Sequence, residues 1–186
     1  KAFVMQRKPF WKLLLLGIGF MMLGNIMSTI MTVAMAVVME YTAAQVVLFI
    51  MTFFVFYSLV FTVAYKDGER ERAMVKNHRV EAPIKLRWVK IGVCMWLVMI
   101  IPSVILLVMR LMEAQSAYVI TYRMICGAIY PLSFLVGIVS ENVADIAIFH
   151  PFIFMGVYAL IPLATHIGFK FGFEDKFNPH IMYEKK

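Results

Sequence analysis

Residues 118–140 read YVITYRMICGAIYPLSFLVGIVS, and the fold of this 186-residue chain turns on whether they cross a bilayer. The run is long enough, since a helix crosses about 30 Å of hydrocarbon in about 20 apolar residues. It also holds Arg123, and its Gly127 and Pro131 offer a place to break. Outward from it, residues 13–39, 43–65, 88–109 and 151–169 form four further apolar runs of spanning length. The chain is 62% hydrophobic and 16% charged. A soluble domain has about 45–50% apolar and about 25% charged residues, so composition alone excludes a water-soluble globule.

Charge placement bears on the count of spans. Sixteen of the eighteen Lys and Arg fall in three clusters. Lys1, Arg7, Lys8 and Lys12 precede the first run, eight lie between Lys66 and Lys90, and Lys170, Lys176, Lys185 and Lys186 follow the last. Four spans put all three clusters on one side, which the positive-inside rule makes the cytoplasm. A fifth would push the last cluster out and bring in residues 141–150, which carry Glu141 and Asp145. The expected fold is therefore all-α, a polytopic transmembrane helical bundle forming a single domain over 1–186. It has four spans, with both termini and the loop 66–87 cytoplasmic in a cell membrane. Residues 118–140 then lie on the outer side, as two half-helices that dip in and return or as an interfacial segment. Five spans is the alternative.

The formal net charge of +7 does not point to nucleic acid, because the basic residues flank apolar runs instead of lining one polar face. Cys94 and Cys126 sit inside apolar runs without ligand spacing, so neither a disulfide framework nor a zinc site follows from them. The chain starts at Lys1, so residues upstream are expected, and the first run has the length of a retained helix.

Residues 66–83, KDGERERAMVKNHRVEAP, alternate in charge, with Asp67 and Gly68 suited to start a short helix and Pro83 to end it. Pairing of Glu69 with Arg72, and of Glu71 with Arg70 or Lys76, would leave a solvated surface helix. It would serve to set orientation, or as a docking element for a cytoplasmic partner such as an ATPase subunit. The tail beyond residue 170 carries Phe173, Phe177 and Tyr183 with lysines, the pattern of an interfacial anchor.

Within the first run Gly24, Ser28, Thr32 and Ala36 recur every fourth residue and make a small-residue helix face, for packing in its own bundle or against a partner subunit. Met27, Met31, Met35 and Met39 form a second stripe. Repeated thioethers raise Cu(I) passage, but no Cys or His lies on that helix to complete a soft site, and Met is also an adaptable apolar filler. Ionisable and polar groups at membrane depth are the candidate pathway residues: Asn25, Arg123 and His166. Arg123 has Glu113, Glu141 and Asp145 as available partners. Haem would need a second axial ligand, and His166 is the one histidine inside a span. Glu141, Asp145 and His150 have acid–base or metal chemistry, but no HExxH, nucleophile elbow or phosphate loop accompanies them.

The basic N-terminus, the charged loop after the second span, the apolar outer region and the terminal Gly168-Phe169-Lys170-Phe171-Gly172-Phe173 resemble the layout of small, poorly characterised polytopic membrane proteins of Gram-positive bacteria. That resemblance implies no activity, cofactor or site. Substrate-capturing subunits of vitamin transporters are similar in size and helical character, but usually have six spans. The expected role is a non-enzymatic subunit of a larger membrane assembly, with lipid and other subunits as partners and no cofactor. The alternatives are a small transporter or channel in its own right and, last, an intramembrane enzyme.

Overall fold

The computed structural model describes residues 7–79, 83–84, 86–138 and 140–174, and every regular element among them is helical. They are α1 (Phe10–Ala34), α2 (Thr42–Lys76), α3 (Arg87–Leu111), α4 (Tyr118–Ile125), α5 (Tyr130–Leu135), α6 (His150–Tyr158) and α7 (Ile161–Glu174), with short 3-10 turns at Ala36–Val38, Gly127–Ile129 and Val143–Asp145. α1, α2, α3 and the α6–α7 pair are each long and apolar enough to cross a membrane. The protein is a multi-pass integral membrane protein with an all-α bundle. One end of the bundle is basic, with Arg7, Arg87 and Lys170, and the other carries Glu40, Glu113, Glu141 and Asp145. The tail residues Phe177 and Tyr183 lie outside the described residues.

Two boundaries differ from the sequence expectation. α1 stops at Ala34 and the chain passes through the 3-10 turn at Ala36–Val38, so Ala36 leaves the helix face on which its spacing placed it. α2 does not break at Asp67-Gly68. It runs through both residues to Lys76 and ends in a left-handed turn at His78, φ 52°, where His78 N–H bonds Val75 O and Arg79 N–H bonds Met74 O. Gly68 is not a helix start because it is a packing contact: a Cβ there would collide with the carbonyl of Phe169 in α7.

Lipid is as apolar as the side chains it would replace, so helices in a bilayer associate through close packing of small residues. α2 and α7 pair most extensively. Ala64 and Gly68 of α2 face Gly168 and Gly172 of α7, and Cβ atoms on these α7 glycines would strike the carbonyls of Phe61 and Tyr65. On the other side of α7, Gly92 of α3 receives Pro162 and Thr165, whose hydroxyl donates to Trp88 O at 2.9 Å. Gly24 of α1 admits Phe56 of α2. Large apolar residues such as Leu15, Ile30, Ile50, Phe54, Ile101 and Leu163 remain exposed on the outside, where lipid covers them.

The fourth crossing is broken between α6 and α7, because Pro162 has no N–H to continue the ladder. Side chains of two other helices serve the carbonyls near the break. Tyr57 OH donates to Val157 O at 2.6 Å, and Trp96 Nε1 donates to Met155 O at 3.3 Å.

Residues 118–138 do not make a fifth crossing. α4 and the helical stretch Gly127–Leu135 meet at 101°. The residues flanking them are clasped together: Val143 N–H donates to Ser116 O at 3.0 Å, and Ser116 N–H donates to Asn142 Oδ1 at 3.1 Å. A segment whose ends are hydrogen-bonded to each other leaves and returns at one level. Its tip, Gly127, lies against Asn25 and Thr29 of α1. Asn25 is nine residues from the end of α1, so the tip reaches about 14 Å below that end.

Two tests follow. Gly172→Leu is expected to lower the thermal midpoint in detergent by about 10 °C, while Gly156→Ala, where an added Cβ meets nothing, is expected to hold or raise it. In a background lacking Cys94 and Cys126, Ser116→Cys and Asn142→Cys are expected to react with an impermeant maleimide from the same side as Glu40→Cys. Labelling from opposite sides would require a fifth span.

Candidate functional site

Hydrocarbon offers no hydrogen bonds, so a kinked backbone at mid-depth must find partners in the protein. The tip of the re-entrant segment finds them on α1 and α2. Ala128 N–H donates to Asn25 Oδ1 at 3.2 Å, and Thr52 Oγ1 donates to Ala128 O at 3.1 Å. Thr29 Oγ1 lies 3.0 Å from Met124 O. Asn25, 2% exposed, also accepts from Tyr158 OH at 3.3 Å and directs Nδ2 toward Met99 Sδ at 3.6 Å. Tyr122 OH and Ser103 Oγ share a 2.9 Å hydrogen bond, and the buried Cys126 thiol lies beside the hydroxyls of Tyr122 and Tyr158. A polar seat formed by α1, α2, α3 and α6 thus surrounds the tip. Among the described residues the only buried side-chain nitrogen or oxygen atoms without a partner are the imidazole nitrogens of His150.

Arg123 holds the two limbs of this segment together. Its Nε donates to Ser133 Oγ at 3.2 Å, a terminal nitrogen donates to Ile138 O, and the guanidinium sits 4.6 Å over the Phe134 ring. Glu113, Glu141 and Asp145 do not come within ion-pair distance of it. The first two are exposed, and Asp145 accepts from Ser140 Oγ at 2.7 Å. Glu141, Asp145 and His150 are not assembled into one group, and among the described residues no three His, Cys, Asp or Glu side chains converge as metal ligands would. His150 is buried edge-on to Phe149, with ring centroids 4.4 Å apart. His166 lies near the basic end, half-buried in a cleft with Arg87, Trp88 and Lys170.

The small-residue stripe divides. Gly24 packs on Phe56, Ser28 Oγ donates to Thr52 O at 3.3 Å, and Thr32 is buried with its hydroxyl on Ser28 O, so three of the four positions meet the protein's own interior. Ala36 is exposed. Met27 and Met35 are each 45% exposed toward lipid.

A second polar centre was not anticipated from the sequence. Glu71 of α2, 1% exposed, receives Arg7 at 3.1 Å and Arg87 Nη1 at 3.2 Å. Arg87 also donates to Lys8 O, and Asp67 accepts from Trp88 Nε1 at 2.9 Å. The N-terminal segment, α2 and α3 are thus joined at the basic end. These contacts replace the surface pairings of Glu71 with Arg70 or Lys76, because Glu71 faces the bundle and not water. The signal was present in the sequence: Val60, Val63, Ala64, Asp67, Gly68, Glu71 and Met74 keep the i, i+3, i+4 spacing of one buried face across the change from apolar to charged residues.

Asn25→Ala removes the acceptor shared by Ala128 N–H and Tyr158 OH. It is expected to cost about 1–3 kcal/mol and to speed amide hydrogen exchange across residues 126–129. Ala36→Ser, at an exposed position, is expected to leave both unchanged. Comparison with protein-family models, with curated proteins and with solved structures finds no match to the chain.

Proposed function

We propose that the chain is a non-enzymatic subunit of a larger membrane assembly, such as a transport complex, and that it presents a rigid helical stalk to a cytoplasmic partner. The positive-inside rule supports placing the basic end, and with it both termini, in the cytoplasm of a cell membrane. The observation that carries the reading is the continuation of α2 past its apolar part. Residues 66–76 remain helical for about 15 Å, and the inner face of this stalk is locked to the bundle by the buried Asp67, Glu71 and Met74. A connection that served orientation alone would need basic charge but no buried ion pair joining three segments. Lys66 and Lys76 stand exposed on the stalk, where a partner would meet them. The mid-depth polar groups weigh against a stand-alone channel, since Asn25, Thr52 and Ser103 are already engaged in holding the bundle and its re-entrant tip.

Size-exclusion chromatography of the tagged protein extracted in mild detergent, with mass spectrometry of the peak, tests this. A partner at fixed stoichiometry is expected to co-elute, and Lys66→Glu/Lys76→Glu is expected to release it without shifting the protein's own folded peak. Elution of the wild-type chain alone would overturn the subunit reading and favour the transporter one, to be examined by solute flux in liposomes.

A further inference from the structure

The N-termini of α1 and α3 lie side by side at the basic end and form the walls of a cleft of about 380 Å³. Arg7, Lys8, Arg87 and Lys90 line it together with Phe10 and Ile84. Glu71 answers part of this charge from the buried side, through Arg7 and Arg87. Lys8 and Lys90 are exposed, and no carboxylate among the described residues pairs with either. Neither helix has a side-chain cap or an acidic residue in its first turn, and the N-termini of both border the cleft. Fixed cations, two helix N-termini and a cavity therefore converge on one place, and each favours an anion.

The apolar members of the lining identify the source of that anion. Phe10 and Ile84 are 41% and 43% exposed, and they sit where α1 and α3 enter their apolar lengths. A soluble ion would leave these faces in water, whereas a phospholipid covers them with its glycerol and upper acyl carbons while its phosphate meets the lysines. We infer that this cleft is a specific site for the phosphate headgroup of an anionic phospholipid. Arg7 and Arg87 are positioned by Glu71, and Lys8 and Lys90 supply the adjustable contacts. The site does not depend on whether a protein partner docks on the stalk.

Thermal unfolding and native mass spectrometry of the purified full chain test the inference, with phosphatidylglycerol, phosphatidylcholine and inorganic phosphate added separately. Phosphatidylglycerol is expected to raise the midpoint saturably and to remain bound one-to-one. Lys8→Gln/Lys90→Gln is expected to weaken its apparent affinity roughly thirtyfold. Lys66→Gln/Lys76→Gln, which removes the same charge at the same end, is expected to leave it unchanged. Equal binding by the wild type and the cleft variant, or an equal response to phosphatidylcholine, would overturn the site. Reproduction of the full effect by inorganic phosphate would overturn the assignment to lipid.

Discussion

A backbone that turns inside hydrocarbon must carry its own hydrogen-bond partners with it, and the arrangement of this bundle follows from that constraint. The chain turns through 101° within the membrane at Cys126–Ile129, and the helix of the fourth crossing is interrupted at 159–160. At the turn the amide and carbonyl of Ala128 are taken by Asn25 and Thr52. At the interruption, carbonyls near Pro162 are taken by Tyr57 and Trp96. At both places other helices bring side chains to the interrupted backbone, and these contacts tie the helices together.

The same requirement explains the close packing. Side chains as short as Thr and Asn reach a neighbouring backbone only when the helices approach nearly to contact. Gly127 on Asn25 and Thr29, Gly24 under Phe56 and Gly168 under Phe61 supply that proximity. The small residues are thus the condition under which the polar contacts exist. Dispersion across these surfaces and satisfied hydrogen bonds take the role that water exclusion has in a soluble core.

Much of this was legible in the chain, and the gaps have physical reasons. The four long apolar runs and the break in the fifth follow from length, Gly127 and Pro131, because hydrocarbon thickness leaves few other solutions. The continuation of α2 was obscured because charge density at 66–76 suggests exposure, whereas the phase of the helix puts Asp67 and Glu71 inward. Composition and phase disagree there, and phase decides burial. Gly168 and Gly172 belong to a terminal sequence pattern, but their four-residue spacing is the packing signal. Charge complementarity offers Arg123 the carboxylates Glu113, Glu141 and Asp145, but it meets Ser133, a backbone carbonyl and the ring of Phe134, none of which charge selects. Asn25 was singled out as a polar residue inside a span. Its task, receiving an amide 103 residues away, requires the three-dimensional fold.

That separation gives the molecule an order of assembly. The side chains that bond the tip's amide and carbonyl, Asn25 and Thr52, lie in α1 and α2, which precede residues 118–138 in the chain. α4 and α5 have 8 and 6 residues, so neither half can cross by itself or persist as an isolated helix. Until Asn25 and Thr52 receive it, the tip has nowhere in the bilayer to rest. Closure of this long loop therefore depends on the first two helices being in place, and without them the segment is an apolar strip with no seat in the bundle.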